Sequence, residues 1–440
     1  MKSADTIFAV ASGAAPSGIA VVRIAGPLVR DVLAAMTGGV PSERLATLAP
    51  IRSPEGEVLD RGLVLFFAGP RSFVGEDSAE LHLHGGKAVV EAVLSALGRL
   101  SGLRPAEPGE FTRRAFMNGK IDLLEAEALA DLVQAETEFQ RRFALSGAGA
   151  AQSQLYETWR RSLIRVRALL EAEVDFSDED DVPDDATASA WRELRRLSAD
   201  ITTHLQGFAT AGIIRDGFDV VIVGAPNAGK SSLLNRLAGR EAAIVTDEPG
   251  TTRDLVEVFL DLAGIKVRVT DTAGLRAPEG RVEAIGIERA MQRAREADLV
   301  LVLRGADDDH GIGIDGLDDA TPVLRVMSKQ DLGVGRALGD ELAVSALAGT
   351  GVDALLERIG VAARQAAGSA GQVLPTRRRH VDCLSEAQNW LSRALDGSRG
   401  EPELRAEELR LACNALGRLS GSVDVEDLLD VIFGEFCIGK

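Results

Sequence analysis

Residues Gly224 to Ser231 read G-A-P-N-A-G-K-S and directly follow the apolar run FDVVIVG, residues 218–224. An apolar strand, a glycine-bounded loop and a helix (SSLLNRL) make a phosphate cradle, because backbone N–H groups of the loop and of the helix start all point at one anion. Asn227, Ala228, Gly229, Lys230, Ser231 and Ser232 are the expected contacts. Lys230 is spaced to reach the β- and γ-phosphates, and the Ser231 hydroxyl is a hard ligand for Mg²⁺. The chemistry implied is binding and cleavage of a nucleoside triphosphate.

Further segments follow in a fixed order. DEPGTTRD (247–254) supplies Thr252, placed to close over Mg²⁺ and the γ-phosphate. VRVTDTAG (267–274) is a strand ending in Asp271, Thr272, Ala273 and Gly274; Asp271 is expected to hold Mg²⁺ through water, and the Gly274 N–H to sense the γ-phosphate. VLRVMSKQD (323–331) ends in Ser328, Lys329 and Asp331, whose carboxylate suits the ring N–H and exocyclic amine of guanine, a donor pair adenine lacks. Ser345 and Ala346 then offer backbone contact to guanine O6. Together these five segments resemble the G1 to G5 motifs of the GTPase family. Ser328 stands where that family usually has Asn, so the base is expected to remain guanine with somewhat weaker nucleotide binding. Leu275 stands where Ras-like members orient water with Gln. Asn227, the Thr251/Thr252 pair and Glu283 are the candidates to replace it.

Around this site the chain changes character several times. Residues 1–118 mix strand-like runs (20–26 and 62–69) with one or two helices such as 87–100, an α+β pattern. Helical periodicity covers 121–145, 152–174 and 188–208, and returns at 382–395, 402–418 and 425–433. Between them, 218–362 alternates strands and helices. The expected architecture is multidomain: an α+β N-terminal domain (1–118), an all-α helical-bundle domain in two parts (119–214 and 371–440), and an α/β P-loop GTPase domain (215–370) inserted between those parts. The three cysteines, Cys383, Cys413 and Cys437, lack disulfide or zinc spacing, which fits a reducing cytoplasm. No apolar run is long enough to span a membrane, and no secretory signal is legible. The net charge of -18 gives no bulk support for nucleic-acid binding, although Arg160, Arg161, Arg165 and Arg167, and Arg377 to Arg379, form local basic clusters.

Segments outside the G domain carry a closer likeness: GIAVVRIAG (18–26), FVGEDSAELHLHGG (73–86), EPGEFTRRAFMNGKIDLLEAEALADLV (107–133), LLEAEVDFSDED (169–180) and the terminal FCIGK (436–440). With GAPNAGKSSLLN and DTAGLR, they identify the chain as a member of the MnmE/TrmE family of tRNA-modifying GTPases. The resemblance implies a cytoplasmic homodimer formed through the N-terminal domain. It implies a heterotetramer with the flavoprotein MnmG (GidA), which carries FAD, and tRNA as the substrate. The implied product is an aminomethyl-type group, often carboxymethylaminomethyl, at C5 of wobble uridine 34. The one-carbon unit would come from 5,10-methylenetetrahydrofolate or 5-formyltetrahydrofolate, with Arg23, Glu80, Lys120 and Lys440 as its contacts. Ser231 and Thr252 would hold Mg²⁺. Asn227, Thr246, Glu248 and Thr251 would hold an activating K⁺ as two G domains meet, and Glu283 would orient the attacking water through a second one. Cys437 reads either as a nucleophile or acid–base group, or as a small apolar contact of the last helix. A ribosome-assembly GTPase would share the G-domain motifs, but such factors usually carry an RNA-binding module such as a KH domain, and no G-x-x-G loop stands here in a basic context.

Overall fold

The computed structural model describes residues 5–175, 184–240, 242–244, 257–271, 292–308, 321–396, 402–422, 429, 432–434, 436 and 439. The chain forms two compact units, Met1–Ala130 with Asn414–Lys440, and Asp131–Cys413.

The first unit is built on strands β1 (Thr6–Val10), β2 (Ser17–Ala25), β3 (Thr47–Arg52), β4 (Val58–Phe67), β5 (Ser78–Gly85) and β6 (Leu103–Pro105), in sheet order β3-β4-β5-β2-β1-β6. Neighbours are antiparallel except β1 and β6. Side chains alternate across the sheet. Ala20, Val22 and Ile24 of β2 are buried in the core, while Arg23 pairs with Glu80 of β5 on the opposite face. Helix α1 (Val29–Thr37) buries Val29, Val32, Leu33 and Met36, the spacing of one helical stripe. They pack with Val93, Ala96 and Leu97 of α2 (Lys87–Gly98) against the sheet. Each buried Val, Leu or Met among them contributes about 1.5–3 kcal/mol through lost water contact. Strand β4 begins at Val58, ahead of its apolar run, with Leu59 and Asp60 half-buried and Arg61 exposed, positions where alternation tolerates polar groups.

A third helix, α3 (Glu110–Met117), carries the P-G-E-F-T-x-R stretch. Arg114, buried, donates to the Glu110 carboxylate at 2.8 Å, to Asp5 at 2.8 Å and to Glu76 at 3.4 Å. Arg104 reaches Glu110 from β6 at 2.6 Å. Burial pushes the Glu110 carboxyl up, but hydrogen bonds from Arg104, the Glu107 amide and Arg114 outweigh it and hold it below the ordinary range. Asn118 donates to the Val74 carbonyl at 2.8 Å and Lys120 to that of Pro70 at 2.8 Å. The motif thus ties the segment before β5 onto α3.

Helices α4 (Leu123–Gln134), α5 (Glu138–Ser146), α6 (Ala150–Asp175), α7 (Asp184–Leu205) and α8 (Phe208–Asp216) follow. The periodicity of 121–145 predicts one helix; the structure divides it. The Thr137 hydroxyl accepts from the Gln140 N–H, and the Gln140 side chain accepts from the Thr137 N–H at 3.1 Å, a reciprocal cap that starts a new helix. Beyond α8 lie β7 (Phe218–Gly224), α9 (Lys230–Ala238), β8 (Glu257–Leu262), β9 (Ile265–Asp271), β10 (Leu299–Gly305), β11 (Val323–Ser328), β12 (Leu342–Ala343) and α10 (Val352–Ala367). Their sheet order is β12-β11-β10-β7-β9-β8, parallel throughout except for the edge strand β8. Helices α11 (Arg378–Leu395) and α12 (Pro402–Ser420) resume the helical pattern.

Both passages between helices and the β7-centred sheet are pinned. Gln140 donates to the Arg215 carbonyl at 2.9 Å, Arg215 donates to that of Thr376 at 2.7 Å, and Gln152 donates to that of Leu374 at 2.6 Å. The Phe139 N–H also donates to the Gly264 carbonyl in the β8–β9 turn at 3.1 Å. Beneath them, Tyr156 of α6 meets His204 of α7 at 2.9 Å, and His380 of α11 accepts from the Thr376 N–H at 3.1 Å. Burial, aided by the nearby His380, pushes His204 down to about 4. The unfolded chain binds that proton near pH 6.5, whereas the fold refuses it until about pH 4, so stability falls as pH drops through this window. Acidifying from pH 8 to pH 5 is expected to cost the Asp131–Cys413 unit ~2 kcal/mol through this group. Thermal unfolding of the intact protein and of His204→Gln across that range is the check: the variant should lose distinctly less, and identical pH profiles would rule the linkage out.

Candidate nucleotide-binding site

Strand β7 lies between β9 and β10, so the chain leaves its carboxyl end at the point where strand order reverses, the usual binding crevice of an open parallel sheet. Gly229, in the left-handed region at φ 92°, ends the loop and caps α9, which begins at Lys230. The first turn of α9, which includes Ser231 and Ser232, offers N–H groups without intrahelical partners and the positive end of the helix dipole. Lys230 is buried, and its ammonium bridges the carbonyls of Gly224 at 2.8 Å and Ala225 at 2.9 Å, which holds it along the loop.

Two hard oxygen donors meet beside the loop. The Ser231 hydroxyl donates to the carboxylate of Asp271, buried at the end of β9, at 2.7 Å. That donor set fits Mg²⁺, which takes few protein oxygens and keeps water and phosphate as its other ligands.

The opposite end of the site is organised by β11. Its last residue, Ser328, donates its hydroxyl to the Ala228 carbonyl of the phosphate loop. The short side chain thus reaches the loop backbone. Lys329 follows in the left-handed region at φ 59°. The Asp331 carboxylate accepts from the Ser345 hydroxyl at 2.6 Å, and that hydroxyl accepts from the Ala348 N–H at 3.0 Å. Because the Gln330 N–H also donates to the Val344 carbonyl at 3.1 Å, Asp331 and the Ser345-Ala346 backbone are held as one surface. A cavity of about 420 Å³ is lined by Ala225–Ala228, Gly305, Asp307, Asp308 and Lys329.

Sequence reasoning missed Arg304. It is the penultimate residue of a fully buried strand, yet its guanidinium holds Glu341 at 2.7 Å and the carbonyls of Asp308 at 2.8 Å and Arg336 at 3.1 Å. Burial resists ionisation of Glu341, but the hydrogen bond from Arg304 outweighs it and holds the carboxyl low. A lone arginine in the apolar run LVLVLRG was the available signal, since a buried cation demands partners.

In the first unit Arg23 and Glu80 are joined at 3.1 Å, His82 meets the second Glu80 oxygen at 3.3 Å, and Arg23 lies over the Phe111 ring. Lys120 lines a separate cavity of about 530 Å³ with residues including Phe116, Met117, Glu125 and Ser422. Thr246, Glu248, Thr251, Thr252, Thr272, Ala273, Gly274, Glu283, Cys437 and Lys440 lie outside the described residues. Among the described residues, no helix is long and apolar enough to cross a membrane.

The fold and site define a P-loop protein with a guanine-nucleotide site. A family model described as "GTP-binding protein TrmE N-terminus" matches residues 6–120, and one described as "MnmE helical domain" matches residues 123–437. A protein of Mesorhizobium japonicum named tRNA modification GTPase MnmE is 56% identical over 446 residues, covering 100% of both chains. One of the same name from a Chelativorans species is 55% identical over 99% of this chain and 98% of its own. The chain belongs to the MnmE family of tRNA modification GTPases. Among solved structures, the FeoB G domain of Methanococcus jannaschii covers 33% of this chain at 22% identity and a TM-score of 0.26, a likeness too low to carry weight.

Replacing Asp331 by Asn reverses the hydrogen-bonding offered to the base. GTP is expected to bind about ten- to a hundredfold more weakly in Asp331→Asn while xanthosine triphosphate gains. Competition titrations read the preference, and an unchanged GTP-to-XTP ratio would remove Asp331 from base recognition.

Proposed function

We propose that this chain is a GTP-hydrolysing enzyme of tRNA modification. With an FAD-containing flavoprotein of the MnmG (GidA) kind it installs an aminomethyl-type group, carboxymethylaminomethyl included, at C5 of wobble uridine 34, using a tetrahydrofolate one-carbon unit. The observation that carries this reading is likeness to proteins named tRNA modification GTPase along the entire chain, both outside and inside the G domain.

The residues support a division of labour. Lys230 and the loop N–H groups oppose the charge of the triphosphate, and such preorganised donors act without reorganising during the reaction. Ser231, with Thr252, would hold Mg²⁺, with Asp271 acting through water; the ion would supply charge neutralisation for the triphosphate. Glu283 would orient the attacking water through a second one, as the family resemblance implies, since Leu275 cannot polarise it. Asn227, Thr246, Glu248 and Thr251 would offer K⁺ hard oxygen ligands as two G domains of a homodimer meet. In the N-terminal domain Glu80 retains lone pairs for the donor edge of a pterin, and Arg23, Lys120 and Lys440 offer cations to its anionic tail. Cys437 is assigned no step. The pinned passages at Arg215 and at Leu374 to Thr376 give G-domain movement a route into the helices.

Two measurements test the reading. Mass spectrometry of nucleosides from cells lacking the protein should show loss of 5-aminomethyl-type wobble uridines and their return with the intact gene; persistence of these nucleosides would overturn the tRNA function and leave the GTPase. GTP turnover should be at least roughly tenfold faster in K⁺ than in Na⁺, in line with a cation taking the place of an arginine finger. Equal rates would discard the K⁺ assignment alone.

A further inference from the structure

We propose that Asp307 is a positioning residue of the nucleotide site, holding Lys329 where its side chain covers the purine ring of the bound nucleotide. The inference rests on the guanine-nucleotide reading above and adds to it a residue no motif contains.

Asp307 follows the end of β10 by two residues, in a turn closed by the Asp308 N–H donating to the Gly305 carbonyl at 3.0 Å. The same turn is joined to the end of β11 by the Ala306 N–H, which donates to the Ser328 carbonyl at 3.0 Å. Lys329 leaves β11 at that point, so the two side chains start from adjacent, hydrogen-bonded backbone. The Lys329 ammonium donates to both Asp307 oxygens, at 3.0 and 3.2 Å. Both residues line the cavity shared with Ala225–Ala228 of the phosphate loop. Gly305 lies under the pair: a Cβ there would collide with the Asp307 carboxylate, so the missing side chain is what lets the carboxylate fold back. Arg304 fixes the floor of the turn by donating to the Asp308 carbonyl.

This ion pair is poorly suited to stabilising the fold. Its side chains are 31% and 50% exposed, and exposed pairs contribute little because water screens them. Its value lies in preorganisation. A lysine has four rotatable carbons, and freezing them when a nucleotide arrives opposes binding. A lysine already held by its ammonium loses less freedom. The arrangement also separates the two ends of the side chain: the apolar stem is left to lie against a flat ring while the charge stays on a carboxylate open to water. The hydrogen bond from Lys329 lowers the Asp307 carboxyl below its ordinary value, which itself already leaves it ionised at neutral pH.

The test is release of the fluorescent analogue mantGDP from the full-length protein, followed by stopped flow. Asp307→Ala is expected to speed release about three- to fivefold, the size an exposed ion pair supports, and to raise KM for GTP in proportion while kcat changes by less than about twofold. Asp307→Glu should bring release back to within about twofold of the unaltered protein. In a Lys329→Met background, Asp307→Ala should add nothing, because its effect passes through the ammonium. Unchanged release in Asp307→Ala, or the same acceleration with and without Lys329, would overturn the proposal while leaving the guanine site standing. Failure of the unaltered protein to bind mantGDP at all would overturn the nucleotide reading, and this proposal with it.

Discussion

The bond from the Ser328 hydroxyl to the Ala228 carbonyl joins the two halves of the nucleotide site. One half exists because backbone N–H groups at the start of α9 must face an anion. The other exists because a carboxylate must face the donor edge of a base. Each could form alone at the end of its own strand, but a nucleotide needs both at a fixed separation. β7 and β11 are not neighbours in the sheet; β10 lies between them. The Ser328 side chain crosses that gap, and Arg304, near the end of the intervening strand, gathers the turn after β10 and the segment after β11.

A site assembled this way is sensitive to its surroundings. Asp331 is held by Ser345, Lys329 by Asp307, and Ser231 by Asp271, so each of these side chains leans on a residue distant in the chain. The same logic extends beyond the sheet. Gln140, Gln152 and Arg215 hold the backbone where the chain enters and leaves the G domain, and Phe139 holds the turn between β8 and β9. These are polar bonds to main-chain atoms, so they constrain position without depending on the identity of the G-domain side chains.

The N-terminal unit solves a different problem. Its α3 buries charge, which is costly unless every ion is paired. Arg114 is matched by Glu110, Asp5 and Glu76, and Arg104 supports Glu110 from the side. Three separated parts of the chain therefore meet at one guanidinium: the start of β1, the segment before β5 and α3 itself. β5 carries Glu80, so a network that looks structural also sets where a proposed ligand-binding carboxylate begins its strand.

Much of this protein was legible without coordinates, because its strongest signals are local. The phosphate loop is a contiguous strand, turn and helix start, and its chemistry depends on backbone groups that eight consecutive residues supply. Arg23 and Glu80 entered only through the family resemblance, and it is the register of β2 with β5 that sets them opposite each other. Local signals can also mislead by continuity: the apolar period through 121–145 hides the reciprocal cap between Thr137 and Gln140, because hydrophobic spacing carries no record of a backbone N–H lost to a side chain. Tertiary structure alone decided the pairings of Arg304 with Glu341, Lys329 with Asp307 and Tyr156 with His204. The partners are remote in the chain, and a charged or polar side chain has many chemically equivalent choices. Composition and spacing state that a partner is required; only the packing of strands and helices brings one within hydrogen-bond distance.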